Sequence, residues 1–285
     1  MVVLVGVWLA QADTSGLSAL TTGAAAGWMA AGVGIYCVGQ LLNGLSWRYL
    51  LQRAGGAVSL GEMLLHDLSS VFWGTVLPGG VAGEVVKGFR LARDIDVGTV
   101  AVTLLAARLV SGTMACLLAL ACLPLSGFDG TVAAVGAAAL VATAGVGVAG
   151  LVALRLGPAA LPAALADRLP IGRFPALRSL AVVVVLGGLT HAAFALVYSA
   201  AFAAAGAWMP FAAAAVVSAL TSVAQILPLT VGGLGVRELS ISTLGAALFT
   251  DALADAGAIS VAVVFTVFIG LGGLVELGRA VTRRR

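Results

Sequence analysis

Two short runs concentrate the residues of this sequence that could do chemistry. The first reads Leu77-Pro78-Gly79-Gly80-Val81-Ala82-Gly83-Glu84, with Lys87 and Arg90 following at helical spacing. The second reads Leu227-Pro228-Leu229-Thr230-Val231-Gly232-Gly233-Leu234-Gly235-Val236-Arg237-Glu238. Proline removes an N–H and clashes with the preceding turn, so each Leu-Pro ends a helix. Gly79, Gly80 and Gly83 admit close backbone approach. A helix that restarts behind such a break presents free N–H groups and the positive end of its dipole, which together can hold an anion such as phosphate. The same argument applies to Gly232, Gly233 and Gly235. Close helix–helix packing would use these glycines equally well, and the sequence leaves both readings open.

Charged side chains at membrane depth are costly and tend to face a cavity or a partner. Glu84 and Lys87 can pair at i, i+3. Arg108 stands inside an apolar run and is expected to point inward, toward Glu84, Glu238 or a lipid phosphate. Arg237 and Glu238 follow the second break, whereas Arg90 reads as a side chain snorkelling to headgroups. His66, beside Asp67, and His191, with Tyr198 two turns later, are further candidates for headgroup contact or proton relay. A bond from a lone His to a neighbouring carbonyl is the plainer reading. Gln225 could line a cavity, Gln40 and Asn43 could bond between helices, and Trp47 reads as an interfacial anchor. No metalloprotease, nucleotide-binding or nucleophile-elbow motif occurs, so neither catalytic residues, a metal nor a cofactor are expected.

The elements that must position these residues follow from composition. Of 285 residues, 61% are hydrophobic and only 9% charged, with a net charge of +3 and a mean hydropathy of +1.13. A soluble domain is about 25% charged, so lipid is the natural solvent here, and nothing points to a nucleic-acid partner. Spanning a bilayer takes about 20 apolar residues as helix, and open sheets are excluded because their edges would stay unpaired in hydrocarbon. The expected fold is an all-α polytopic membrane protein, one transmembrane domain over 1–285. Spanning helices are expected near 1–11 (short), 24–46, 97–124, 131–155, 179–205 and 256–278. Cys37, Cys116 and Cys122 lie in apolar runs and read as buried free thiols.

Stretches 59–92 and 211–250 are broken in the middle. Lys and Arg cluster after 24–46, before 97–124, in the loop 157–178 and at the C-terminus. The positive-inside rule places all of these, the C-terminus included, in the cytoplasm. Parity then requires both broken stretches to enter and leave on one side, from opposite faces, as re-entrant or broken-helix hairpins. An inverted repeat results, residues 24–124 and 179–278, joined by helix 131–155. Such repeats with paired broken helices are found in transporters.

At this point the residues resemble the lysylphosphatidylglycerol synthase transmembrane-region family. The resemblance runs from about Tyr36 to Glu276 on Trp47-Arg48-Tyr49-Leu50-Leu51, Leu77-Pro78-Gly79 with Gly83-Glu84, Arg108, and Leu227-Pro228 with Gly232 to Glu238. Gly74, Ala107 and Thr230-Val231 stand where that family more often has Asn, Glu and Ser-Pro. The resemblance implies handling of membrane lipids. The expectation is a translocase moving an anionic phospholipid or lipid-linked phosphate between leaflets. Two alternatives stand beside it: an embedded enzyme acting on polyprenyl-phosphate lipids, built on His66, Asp67 and Glu84, and a subunit recruiting a lipid-modifying synthase through 157–178. The expected partners are membrane lipids with an anionic headgroup and, among proteins, a second copy of the chain or a lipid-modifying enzyme.

Overall fold

The computed structural model describes residues 14–77, 82–156, 177–226 and 235–282. Among these residues the chain is all-helical. The helices are α1 (Gly23–Arg53), α2 (Leu60–Val76), α3 (Ala82–Leu91), α4 (Val97–Cys122), α5 (Gly130–Leu156), α6 (Leu177–Ala204), α7 (Phe211–Ala224), α8 (Val236–Ala246) and α9 (Asp251–Thr282). A 3-10 segment, Thr14–Thr21, precedes α1.

Five helices (α1, α4, α5, α6 and α9) are long and apolar enough to cross a bilayer, so the protein is a multi-pass membrane protein. Five expected spans appear with small shifts of boundary, and the expected 1–11 helix lies outside the described residues. The spans α1 and α9 are longer than expected. The α1 helix runs on through Trp47 and Arg48 to Arg53. The α9 helix starts at Asp251, because an acidic residue in a first turn suits the helix dipole and Asp255 takes the Ser242 hydroxyl of α8.

Capping chemistry starts several of these helices. Thr22 accepts the Ala25 amide at 3.1 Å ahead of α1, and Asp96 accepts the Thr99 amide at 2.9 Å ahead of α4. Ser59 and Glu62 form a reciprocal box at the start of α2, at 3.2 and 3.0 Å, the pattern expected of Ser-x-x-Glu.

Both broken stretches are helix–break–helix units: α2 and α3 flank 77–81, and α7 and α8 flank 225–235. The α3 helix folds back along α2, since Lys87 reaches Asp67 and Glu84 reaches Ser70. Contact is this close because Gly83 lacks a side chain: a Cβ there would sit 2.0 Å from the Ser70 carbonyl oxygen. Core packing runs through the centre of the bundle, where Tyr36 of α1, Phe194 of α6 and Phe265 and Phe268 of α9 make ring contacts of 4.2–5.3 Å.

Among the cysteines only Cys116 is buried; Cys37 faces outward and Cys122 is half-covered. Trp28 and Trp208 meet at 5.7 Å and are largely exposed, the amphipathic placement of an interfacial belt.

Candidate functional site

The α1 helix carries a polar stripe, Tyr36, Gln40, Asn43 and Trp47, at spacings of three and four that keep one face. Gln40 donates to the Tyr36 hydroxyl at 2.7 Å, within the helix rather than between helices. Trp47 is not an interfacial anchor. It is 2% exposed, its indole N–H donates to Thr103 of α4 at 3.2 Å, and the Lys87 ammonium lies 4.3 Å from its ring centroid. A desolvated ammonium over the indole face is an attractive cation–π contact. A spanning helix puts this Trp between α3 and α4, where burial outweighs its preference for the interface.

Beside this stripe, four charged side chains from three helices form one network. Lys87 of α3 lies 2.7 Å from Asp67 Oδ1 of α2 and 3.0 Å from Glu84 Oε2. Glu84 Oε1 is met by Arg108 Nη2 of α4 at 2.8 Å. The expected Glu84–Lys87 pair is present, and of the alternatives open to Arg108 the structure selects Glu84. Charges balance at two and two. Lys87 and Asp67 are almost wholly buried, Glu84 nearly so, but the Arg108 side chain is 52% exposed. Arg108 lies about 16 Å along α4 at about 1.5 Å per residue, within one of the candidate membrane spans.

A narrow cavity opens onto this network, lined by Asn43, Trp47, Glu84, Lys87, Leu104, Ala107, Arg108 and Ser111. Its volume is about 20 Å³, room for about one water. His191 of α6 meets one lining residue: its Nε2 lies 2.9 Å from the Ser111 hydroxyl. This histidine bonds a side chain, not the backbone carbonyl expected of a lone His. The Asp67 carboxylate, expected beside His66 as part of the alternative enzyme, belongs instead to the Lys87 network. Gly44 of α1 faces this carboxylate, and a Cβ there would approach Asp67 Oδ2 to 2.4 Å.

Arg237 and Glu238 do not join this cavity. They form a second knot at the start of α8, paired at 2.6 Å and both about 7% exposed. The Gly235 amide donates to Glu238 Oε2 at 2.7 Å. Gly235 has φ +85°, a region that side chains avoid. The Arg237 guanidinium carbon lies 4.3 Å from the Phe265 ring centroid. Gln225 caps the end of α7, its amide donating to the Thr221 carbonyl at 3.2 Å.

His66 also lies elsewhere. Adjacent helical residues diverge by about 100°, so Asp67 turns to α3 while His66 turns to α9. There its Nδ1 lies 3.5 Å from Arg279. Arg90 is no snorkelling side chain: it grips Glu276 of α9 with both guanidinium nitrogens, at 2.7 and 2.6 Å. Gly83 packs the hairpin. Pro78, Gly79, Gly80, Gly232 and Gly233 lie outside the described residues, as does most of the loop 157–178. No group of three or more His, Cys, Asp or Glu able to hold a metal occurs among the described residues.

A buried, charge-balanced network with one half-exposed guanidinium can exchange its internal partner for an external anion. No curated protein matches the sequence. Residues 1–274 match the lysylphosphatidylglycerol synthase TM region, and the chain belongs to that family.

Proposed function

We propose that this protein is a lipid translocase that moves an anionic phospholipid or lipid-linked phosphate between leaflets. The observation that carries the reading is the Glu84–Arg108 pair at the mouth of a cavity beside a membrane span, backed by buried Lys87 and Asp67. Arginine is the side chain best suited to a phosphate, through two parallel N–H···O bonds. When a headgroup phosphate takes Arg108, Glu84 keeps Lys87 as partner, so the carboxylate that gives up the guanidinium is still paired. A cavity for about one water excludes a headgroup, so translocation needs the hairpin α2–α3 to move away from α4.

The order of elements supports the repeat that such a mechanism needs. A span, a helix–break–helix unit and a span occur as α1, α2–α3, α4 and again as α6, α7–α8, α9, with α5 between. In this reading residues 24–124 and 179–278 are the inverted halves, both broken units are re-entrant, and the C-terminus is cytoplasmic. The polyprenyl-phosphate enzyme drew its acid and base from His66, Asp67 and Glu84; His66 turns away from the two carboxylates, and each carboxylate is held by a cation.

The test is lipid movement in proteoliposomes containing a fluorescent phosphatidylglycerol, read by quenching of the outer leaflet. Wild-type vesicles should exceed protein-free ones, and Arg108→Gln should lose at least tenfold in rate. A wild-type rate equal to that of empty vesicles, in correctly folded protein, would sink the reading.

A further inference from the structure

A second cavity lies on the other side of α2 from the Glu84–Arg108 network. Its volume is about 190 Å³, and it is lined by His66, Arg90, Arg93, Asp94 and Arg279. We infer that this pocket is a binding site for a phosphate-bearing anion, separate from the translocation cavity.

The case rests on preorganised charge. Glu276 accepts Arg90 with both oxygens and takes Arg279 at 3.2 Å, and Ser69 donates to it at 2.7 Å. One carboxylate thus fixes two guanidinium groups and neutralises one charge. Arg279 also touches His66 at 3.5 Å. Arg93 has no ion pair with any described residue, and with Asp94 it forms the exposed rim. Three guanidinium groups stand against the carboxylates of Glu276 and Asp94, leaving a net positive charge before His66 is considered. The nearby carboxylate of Glu62 is engaged with the Ser59 amide at the start of α2. Arg90 is committed to Glu276 and Ser69, so the donors left for an oxyanion are the Arg93 fork and the remaining N–H groups of Arg279, and a guanidinium fork matches the oxygens of a phosphate better than a single point charge does.

Size agrees with this ligand. The cavity of about 190 Å³ is ample for a phosphate ester but below the about 300 Å³ of pockets for larger organic ligands. Its walls come from α2, the end of α3 and the last turns of α9. A bound phosphate would therefore bridge the first hairpin to the final span.

The ligand chemistry, a phosphate mono- or diester, could come from a lipid headgroup or from a soluble phosphate. The experiment uses delipidated full-length protein in a neutral detergent, titrated with inorganic phosphate and, separately, with a water-soluble short-chain phosphatidylglycerol. Affinity is read by calorimetry and by shift of the melting temperature. Wild-type protein should bind one or both. Arg93→Gln, exposed and outside the ion-pair network, should weaken binding about tenfold, about 1.4 kcal/mol, and Arg93→Gln/Arg279→Gln further. Tighter binding of the lipid than of inorganic phosphate identifies a headgroup site, and the reverse a soluble ligand. No binding of either anion by wild-type protein overturns the proposal. So does a loss of binding in Arg108→Gln with none in Arg93→Gln, which would put the anion in the translocation cavity instead. Because the readout is binding and not lipid movement, the two proposals can fail separately.

Discussion

Lys87 is the side chain on which the buried network depends, and replacing it tests that claim directly. Its ammonium lies 2.7 Å from Asp67 and 3.0 Å from Glu84. At an effective dielectric of about 20, each contact carries a gross attraction of about 5–6 kcal/mol. Desolvation of the buried ions cancels several kcal/mol of that, so an intact buried pair adds little. Removing one partner is different, because the others stay buried without compensation, at about 3–5 kcal/mol. The Lys87→Met substitution keeps a similar volume and removes only the charge. It should therefore cost about 3–5 kcal/mol, read from unfolding in mixed micelles of rising SDS fraction. The Asp67→Asn change leaves Lys87 with Glu84 and should cost about 1–3 kcal/mol. The double variant Asp67→Asn/Lys87→Met should be less destabilised than the sum of the singles by at least about 1 kcal/mol. Stability of Lys87→Met within about 1 kcal/mol of wild type, or strict additivity in the cycle, would refute the view that these charges form one coupled network.

Further substitutions separate packing from chemistry. Glu84→Gln should slow lipid movement in proteoliposomes as strongly as Arg108→Gln does; a fast Glu84→Gln protein would remove Glu84 from the mechanism. Gly83→Ala would place a Cβ 2.0 Å from the Ser70 carbonyl oxygen, and overpacking of this kind should cost about 1–3 kcal/mol by the same unfolding assay. Wild-type stability there would mean that α2 and α3 are farther apart. Gly235→Ala forces a side chain to φ +85° and should cost about 1–3 kcal/mol, whereas Ala at Gly34, mid-helix with open space around it, should stabilise by up to about 1 kcal/mol. Thr103→Val removes the acceptor of the Trp47 indole and should cost about 1 kcal/mol, visible also as a change in tryptophan emission; an unchanged spectrum and stability would argue that Trp47 does not sit between α3 and α4.

Composition and pattern alone dictate the membrane environment, the helical class and five spans, because a chain that is 61% hydrophobic with long unbroken apolar runs has no other way to satisfy its backbone. The two breaks were legible for a similar reason, since Leu-Pro followed by glycines cannot continue a helix. The pairing of Glu84 with Lys87 was readable as well, because i, i+3 neighbours share a face by geometry. What tertiary structure decided is which distant groups meet. Arg108 selects Glu84 rather than Glu238, Arg90 selects Glu276 from 186 positions away, and His66 and Asp67, side by side in sequence, turn to different sites. Trp47 shows the same limit from the other direction: its interfacial character is a property of the side chain, but its burial depends on α3 and α4 closing over it. Local sequence sets which charges a helix carries and on which face. Only the packing of helices determines which opposite charge will be within 3 Å, and in a medium that cannot solvate an unpaired ion that choice defines the site.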